Sequence, residues 1–297
     1  MKEQVKDGQL LNILCLFVMV GLRVEAVDFK DQGYHLFVAI NKDVPENIGI
    51  ISELQSMLTS ASDYLYTATR KYTYIRRVTI LVPATWTRDP AWELEGEMIF
   101  TRADIRVDEP HPAMGNSPYV FQPGQCGDPG RYIHLTSDFV LDNQIDRQIN
   151  YGDAGRVLVH EFAHLRYGVF GEYGVRDSLQ HPVYYIDDNS TILRPTACSA
   201  EVVGVFHDVV NGGDCATGDT STPLNENCIF LPSTTDNVAT ASVMYAQFLQ
   251  EVTEFCESNP QDKKRKHNAD APNRQNKMCN KRGTWDVIRE HLDIRGH

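Results

Sequence analysis

Two short apolar runs, YHLFVAI at 34–40 and RVTILVP at 77–83, flank a stretch in which Ile51, Leu54, Leu58, Ala61, Leu65 and Ala68 recur every three or four positions. β-branched runs ended by proline predict strands, and the intervening spacing predicts a long helix after Pro45. Strand, helix and strand in that order close as a right-handed crossover, so the two strands become a parallel pair in a sheet backed by the helix. Further strands are expected at EMIFTRADIRV (97–107) and RYIHLT (131–136), and a second helix from a cap at Asp153 to about Tyr167. Beyond residue 175 the chain is loop-rich, with helical patches near 239–257 and 284–293. The fold class expected is α+β: a helix-backed mixed sheet joined to a cysteine-rich region.

Residues 1–26 have a different character. Lys2 and Lys6 precede an apolar run of 13 residues, Leu10 to Leu22, which ends in Val24-Glu25-Ala26 with small residues at the −3 and −1 positions. That is the layout of a secretory signal peptide cut after Ala26, and the run is shorter than the roughly 20 residues a membrane span needs. The leader holds Lys2, Lys6 and Arg23 against Glu3, Asp7 and Glu25, so the mature chain keeps the net charge of −12. Nucleic acid and anionic membrane are therefore poor partners. Cys15 lies in the leader; Cys126, Cys198, Cys215, Cys228, Cys256 and Cys279 remain, an even set in an exported chain and hence a framework of disulfides whose pairing is open. Asn189-Ser190-Thr191 is a glycosylation sequon. The basic run Lys263-Lys264-Arg265-Lys266 reads as a solvated loop in an acidic protein.

The chemistry concentrates in VLVHEFAHLRYGVFGEYG, residues 157–174. His160-Glu161-Phe162-Ala163-His164 fits HExxH: on a helix the two histidines share one face and can both reach a Zn²⁺ at about 2.0–2.1 Å. Glu161 lies about 100° round the helix, placed to take a proton from a water that zinc acidifies. Gly168 is a natural helix stop that lets the chain turn back towards the metal. A metzincin would carry Gly and a third His three and six residues after the second His, where this chain has Tyr167 and Phe170. The third ligand is therefore sought downstream, first at Glu172 and in reserve at Asp177.

Segments spread along the chain resemble the N-terminal domain of the calcium-activated chloride channel regulators: GYHLFVAINKDVPE (33–46), ASDYLYTATRKYTYIRRVTILVPATW (61–86), PYVFQPGQCGDPGRYIHLTSDF (118–139), RVLVHEFAHLRYGVFGEY (156–173), ASVMYAQFLQEVTEFC (241–256) and HNADAPNRQNKMCNKRGTWDVI (267–288). The resemblance implies a zincin-like metallohydrolase domain over 27–190 and a cysteine-rich companion over 191–297. It implies a secreted protein in which His160 and His164 bind Zn²⁺ and Glu161 is the catalytic acid/base. SVMY (242–245) offers a Met-turn-like floor or, on the plainer reading, puts Met244 in the core. The family has an Asp before the Glu-Tyr pair where this chain has Gly171, so either Glu172 takes its place by a one-residue shift or zinc is held weakly and activity is reduced or lost. Family members continue into a von Willebrand factor type A domain, and no such domain is expected within these residues. Two functions follow as expectations. One is a secreted zinc-dependent peptidase acting on a protein or peptide substrate; the other is a catalytically weak extracellular regulator whose partner is a chloride channel at the cell surface.

Overall fold

A computed structural model describes residues 12–13, 33–92, 99–142, 147, 151–187, 192–215, 224 and 226–295. Apart from Asn12 and Ile13, the expected leader lies outside the described residues, as does the sequon Asn189-Ser190-Thr191. The expected strand–helix–strand unit with a parallel strand pair is present. Strand β2 (Gly33–Ile40) leads into helix α1 (Gly49–Ala68) and returns as β3 (Tyr74–Leu81), parallel to β2 from Gly33↔Tyr74 to Ala39↔Leu81. Ile51, Leu54, Leu58, Ala61, Leu65 and Ala68 are all buried; each of the leucines contributes about 1.5–3 kcal/mol by leaving water, which holds α1 on the sheet.

The sheet is extended by β1 (Asn12–Ile13), β4 (Ile105–Asp108), β5 (Tyr119–Val120) and β6 (Ile133–Thr136), in the order β1-β3-β2-β4-β6-β5. Every pairing is parallel except that of the edge strand β5, which runs antiparallel to β6. The strand expected over 97–107 is shorter than its sequence suggests, beginning only at Ile105; Phe100–Arg102 is a turn of 3₁₀ helix. Local bonds win there, since Ala103 N donates to the Phe100 carbonyl and the Arg106 guanidinium takes the Thr101 carbonyl at 2.6 Å.

After α2 (Ser137–Leu141), helix α3 (Ala154–Tyr167) packs against α1. Asp153 caps it by accepting from Arg156 N, and Gly168 ends it with φ 63°, a left-handed value that favours glycine. The rest of the chain forms two small ribbons, β7 (Tyr184–Ile186) with β8 (Leu193–Pro195) and β9 (Gly204–Asp208) with β10 (Cys228–Pro232). Short helices follow: α4 (Val243–Ala246), α5 (Arg274–Met278), α6 (Thr284–Ile288) and α7 (Leu292–Arg295). Met244, Phe255, Trp285 and Ile294 share one core with Leu54 and Phe162. The cysteines pair as Cys126–Cys279, Cys198–Cys256 and Cys215–Cys228. Lys263, Lys264 and Lys266 are exposed, as the solvated-loop reading expects. Among the described residues, no helix is long and apolar enough to cross a membrane.

Candidate metal centre and its cleft

Helix α3 places His160 and His164 one turn apart, with Nε2 of each 3.2 Å from Nε2 of the other. Their Nδ1 atoms point the opposite way, His160 to the Val243 carbonyl at 3.0 Å and His164 to the Val169 carbonyl at 2.6 Å. A carbonyl only accepts, so both Nδ1 atoms carry the hydrogen and both Nε2 atoms present lone pairs to one another. Two facing lone pairs repel unless a cation lies between them. Nitrogens each 2.0–2.1 Å from a tetrahedral zinc would stand about 3.3 Å apart, close to the observed separation. Burial also keeps both rings neutral and ready to coordinate, lowering His160 to about 4 and His164 to about 3. The donor set thus fits zinc at two positions, and the carbonyls supply the orienting contacts that metal-binding histidines require.

Glu161, itself buried, lies where two lobes of a cleft meet. One lobe, about 540 Å³, is lined by His160, Tyr245 and Phe248; the other, about 410 Å³, by His164, Phe170 and Arg274. Glu161, Tyr173, Met114 and Pro118 belong to both. Burial pushes the Glu161 carboxyl up to about 8, so a nearby cation is what would hold it ionised as a base at neutral pH.

The structure brings His160, Glu161 and His164 together and turns Glu172 away. Gly171 and Tyr173 line the cleft, whereas Glu172 between them enters the core and is fully buried. Three bonds set this course: Phe170 N donates to Gln275 Oε1, Glu172 N to the Met244 carbonyl, and Gln275 N to the Gly171 carbonyl. Because neighbouring side chains face opposite ways here, a one-residue shift from 171 to 172 moves a carboxylate off the metal side. Glu172 Oε1 lies 3.1 Å from His267 Nδ1, and Thr284 Oγ1 donates to Oε2 at 3.4 Å. Burial raises the Glu172 carboxyl; burial lowers His267, but the adjoining Glu172 outweighs it and leaves that imidazole above its ordinary value. Ligand atoms of Glu172, Cys198 and His267 lie within 4.8 Å of one another, a spacing a metal could use. The Cys198 sulfur is bonded to Cys256, however, and offers no thiolate while that bond stands. Asp177 is exposed on the next turn. Among the described residues, no third His, Cys, Asp or Glu atom joins the His160–His164 pair. Met244 is fully buried in the core, and its carbonyl holds Glu172.

Sequence reasoning passed over Tyr173 and Arg274. Tyr173 sits within the quoted motif, and its ring faces that of His160 at an interplanar angle of 29°, with centroids 6.4 Å apart. Nothing local distinguishes it from a surface tyrosine. Arg274 enters the cleft from α5, more than a hundred positions downstream.

A family model described as calcium-activated chloride channel N terminal matches residues 27–296. Calcium-activated chloride channel regulator 3A-1 of Mus musculus is 40% identical, over 96% of this chain and 31% of its own length. Calcium-activated chloride channel regulator 2 of Homo sapiens is 38% identical over 99% of this chain and 30% of its own, and regulator 1 of Bos taurus 38% over 95% and 30%. The chain thus spans about a third of the length of these relatives. No solved structure matches it. With the match running from just past the expected leader almost to the last residue, the chain belongs to the calcium-activated chloride channel N-terminal family.

Proposed function

We propose that this chain is a zincin-like hydrolase domain that is exported and cleaves peptide bonds, with His160 and His164 holding zinc and Glu161 as the general base. The observation that carries the reading is the pair of Nε2 atoms 3.2 Å apart, each ring anchored through Nδ1 to a carbonyl. Zinc, when bound, supplies Lewis acidity to the scissile carbonyl and to water. Glu161, between the two lobes, takes a proton from water on one side of the scissile bond and returns it to the leaving amine on the other. Edge strand β5 and the flanking Pro118 and Gln122 line the lobe beside His164, so an extended peptide could add to the free edge of β5. The test is zinc content of protein purified without chelator, followed by cleavage of a peptide library. About one zinc per chain, lost in His160→Ala, with cleavage abolished in Glu161→Gln, is expected. Protein that neither carries nor takes up zinc would remove the reading.

A second reading is supported by the turn of Glu172 into the core, which leaves two histidines without a third ligand among the described residues. On this reading the domain is catalytically weak and acts by binding, in keeping with relatives named as channel regulators. Chloride currents recorded with and without co-expressed protein separate the two: an effect unchanged by Glu161→Gln favours binding.

A further inference from the structure

Arg274 opens α5 and lines the lobe beside His164, together with Glu161, Gly171 and Tyr173. Its guanidinium carbon lies 4.8 Å over the centre of the fully buried Phe170 ring, so the group is seated on a rigid support. Among the described residues it has neither a carboxylate partner nor a hydrogen-bond acceptor. Several other arginines of this acidic protein are engaged by carboxylates: Arg166 by Asp293, Arg194 by Asp187, Arg282 by Glu290 and Arg70 by Glu257. Arg274 instead carries an unspent fork of donors at a cleft wall. It is also close enough to His164 and Tyr173 for its charge to act on both.

A guanidinium presents parallel N–H groups that match the two oxygens of a carboxylate. We propose that Arg274 binds a carboxylate of the peptide in the His164 lobe, making the site selective for peptides with an acidic side chain or a free C-terminus at that position. The proposal rests on the hydrolase reading for the identity of the ligand as a peptide; the binding itself does not require turnover.

The experiment measures fluorescence anisotropy of labelled peptides on the Glu161→Gln protein, in which cleavage is not expected. Three peptides share one core sequence: neutral with both ends capped, capped with one internal Glu, and uncapped at the C-terminus. The two carboxylate-bearing arms separate side chain from terminus, and at least one should bind about 10-fold more tightly than the neutral peptide. That preference should vanish when Arg274→Gln is added, while Arg274→Lys keeps part of it. Because Arg274 is exposed and gives up only its contact with Phe170, the substitution should lower the thermal unfolding temperature by no more than a few degrees, which guards against misfolding as the cause. Equal affinity for all three peptides, a preference that survives Arg274→Gln, or no measurable binding would overturn the proposal. A carboxylate preference in protein that proves free of zinc would sink the hydrolase reading and leave Arg274 its role. Zinc-dependent cleavage indifferent to acidic residues would do the reverse.

Discussion

The ring of Tyr173 fills the space where Gly171 would carry a side chain: a Cβ built on Gly171 would lie 2.5 Å from Tyr173 Cε1 and 2.9 Å from Cζ. The position at which relatives are expected to place a carboxylate is here closed by a neighbour's phenol. Gly171→Asp alone should therefore push the Tyr173 ring, which is 39% exposed and able to swing outwards, from its place over His160 at a cost of about 1 kcal/mol. Gly171→Asp with Tyr173→Ala should recover that stability and tighten zinc binding at least about 10-fold over the single variant. Chemical denaturation and competition with a chelator measure the two effects, and tight zinc binding by Gly171→Asp alone would contradict the arrangement.

Glu161 makes metal-free protein sensitive to alkali. Burial raises its folded value to about 8 from an ordinary 4.5, so the buried acid is fully accommodated below about pH 4.5 and stability is lost as pH rises towards 8. In chelator, Glu161→Gln should match the parent near pH 4.5 and exceed it by several kcal/mol, on the order of 3–5, at pH 9. Unfolding curves at the two pH values test this. A constant difference between the proteins at both would refute it.

Behind α3, Arg166 holds Asp293 of α7 through two bonds of 2.6 and 2.8 Å, and the Tyr34 hydroxyl donates to the same carboxylate at 2.7 Å. Burial pushes the Asp293 carboxyl up, but hydrogen bonds from His291, Arg166 and Tyr34 outweigh it and hold the group well below the usual carboxylate range. The stabilisation is thus present above the ordinary value of 3.8 and is lost as pH falls below it. Asp293→Asn should cost on the order of 3 kcal/mol at pH 7, from an arginine left without its partner, and the variant should lose less than the parent between pH 4 and pH 2. Denaturant midpoints across that range are the measurement.

The Cys126–Cys279 bond closes a loop with a sequence separation of 153. Replacing both cysteines by serine should lower stability by about 2–5 kcal/mol. It should also loosen the lobe beside His164, since Gly127 N donates to the Gly168 carbonyl and Gly130 N to the His164 carbonyl. Amide exchange at residues 164–173 should accelerate in that variant; unchanged exchange there would show that the lobe is held by other contacts.

What the sequence made legible was local. The stripe from Ile51 to Ala68 was readable because helical spacing alone decides which side chains share a face, and the His160–His164 pair for the same reason. The strand expected from residue 97 was cut short by turn and guanidinium bonds that an apolar pattern does not reveal. The direction of Glu172 was beyond reach because it is set by the Met244 carbonyl and by Gln275, contributed from the far end of the chain. Arg274 was hidden for the same reason, as was the pairing of the cysteines.

The Val243 carbonyl that orients His160 has a consequence for timing. A ribosome that has released HEFAH has not yet made Val243, Arg274 or Cys279, so the first histidine initially has no acceptor to settle which nitrogen bears its hydrogen. The nascent helix carries both imidazoles before the contact that orients the His160 ring exists. Only after a further 83 positions have been synthesised and docked does the Val243 carbonyl take its hydrogen bond and hold the ring in the orientation that faces His164.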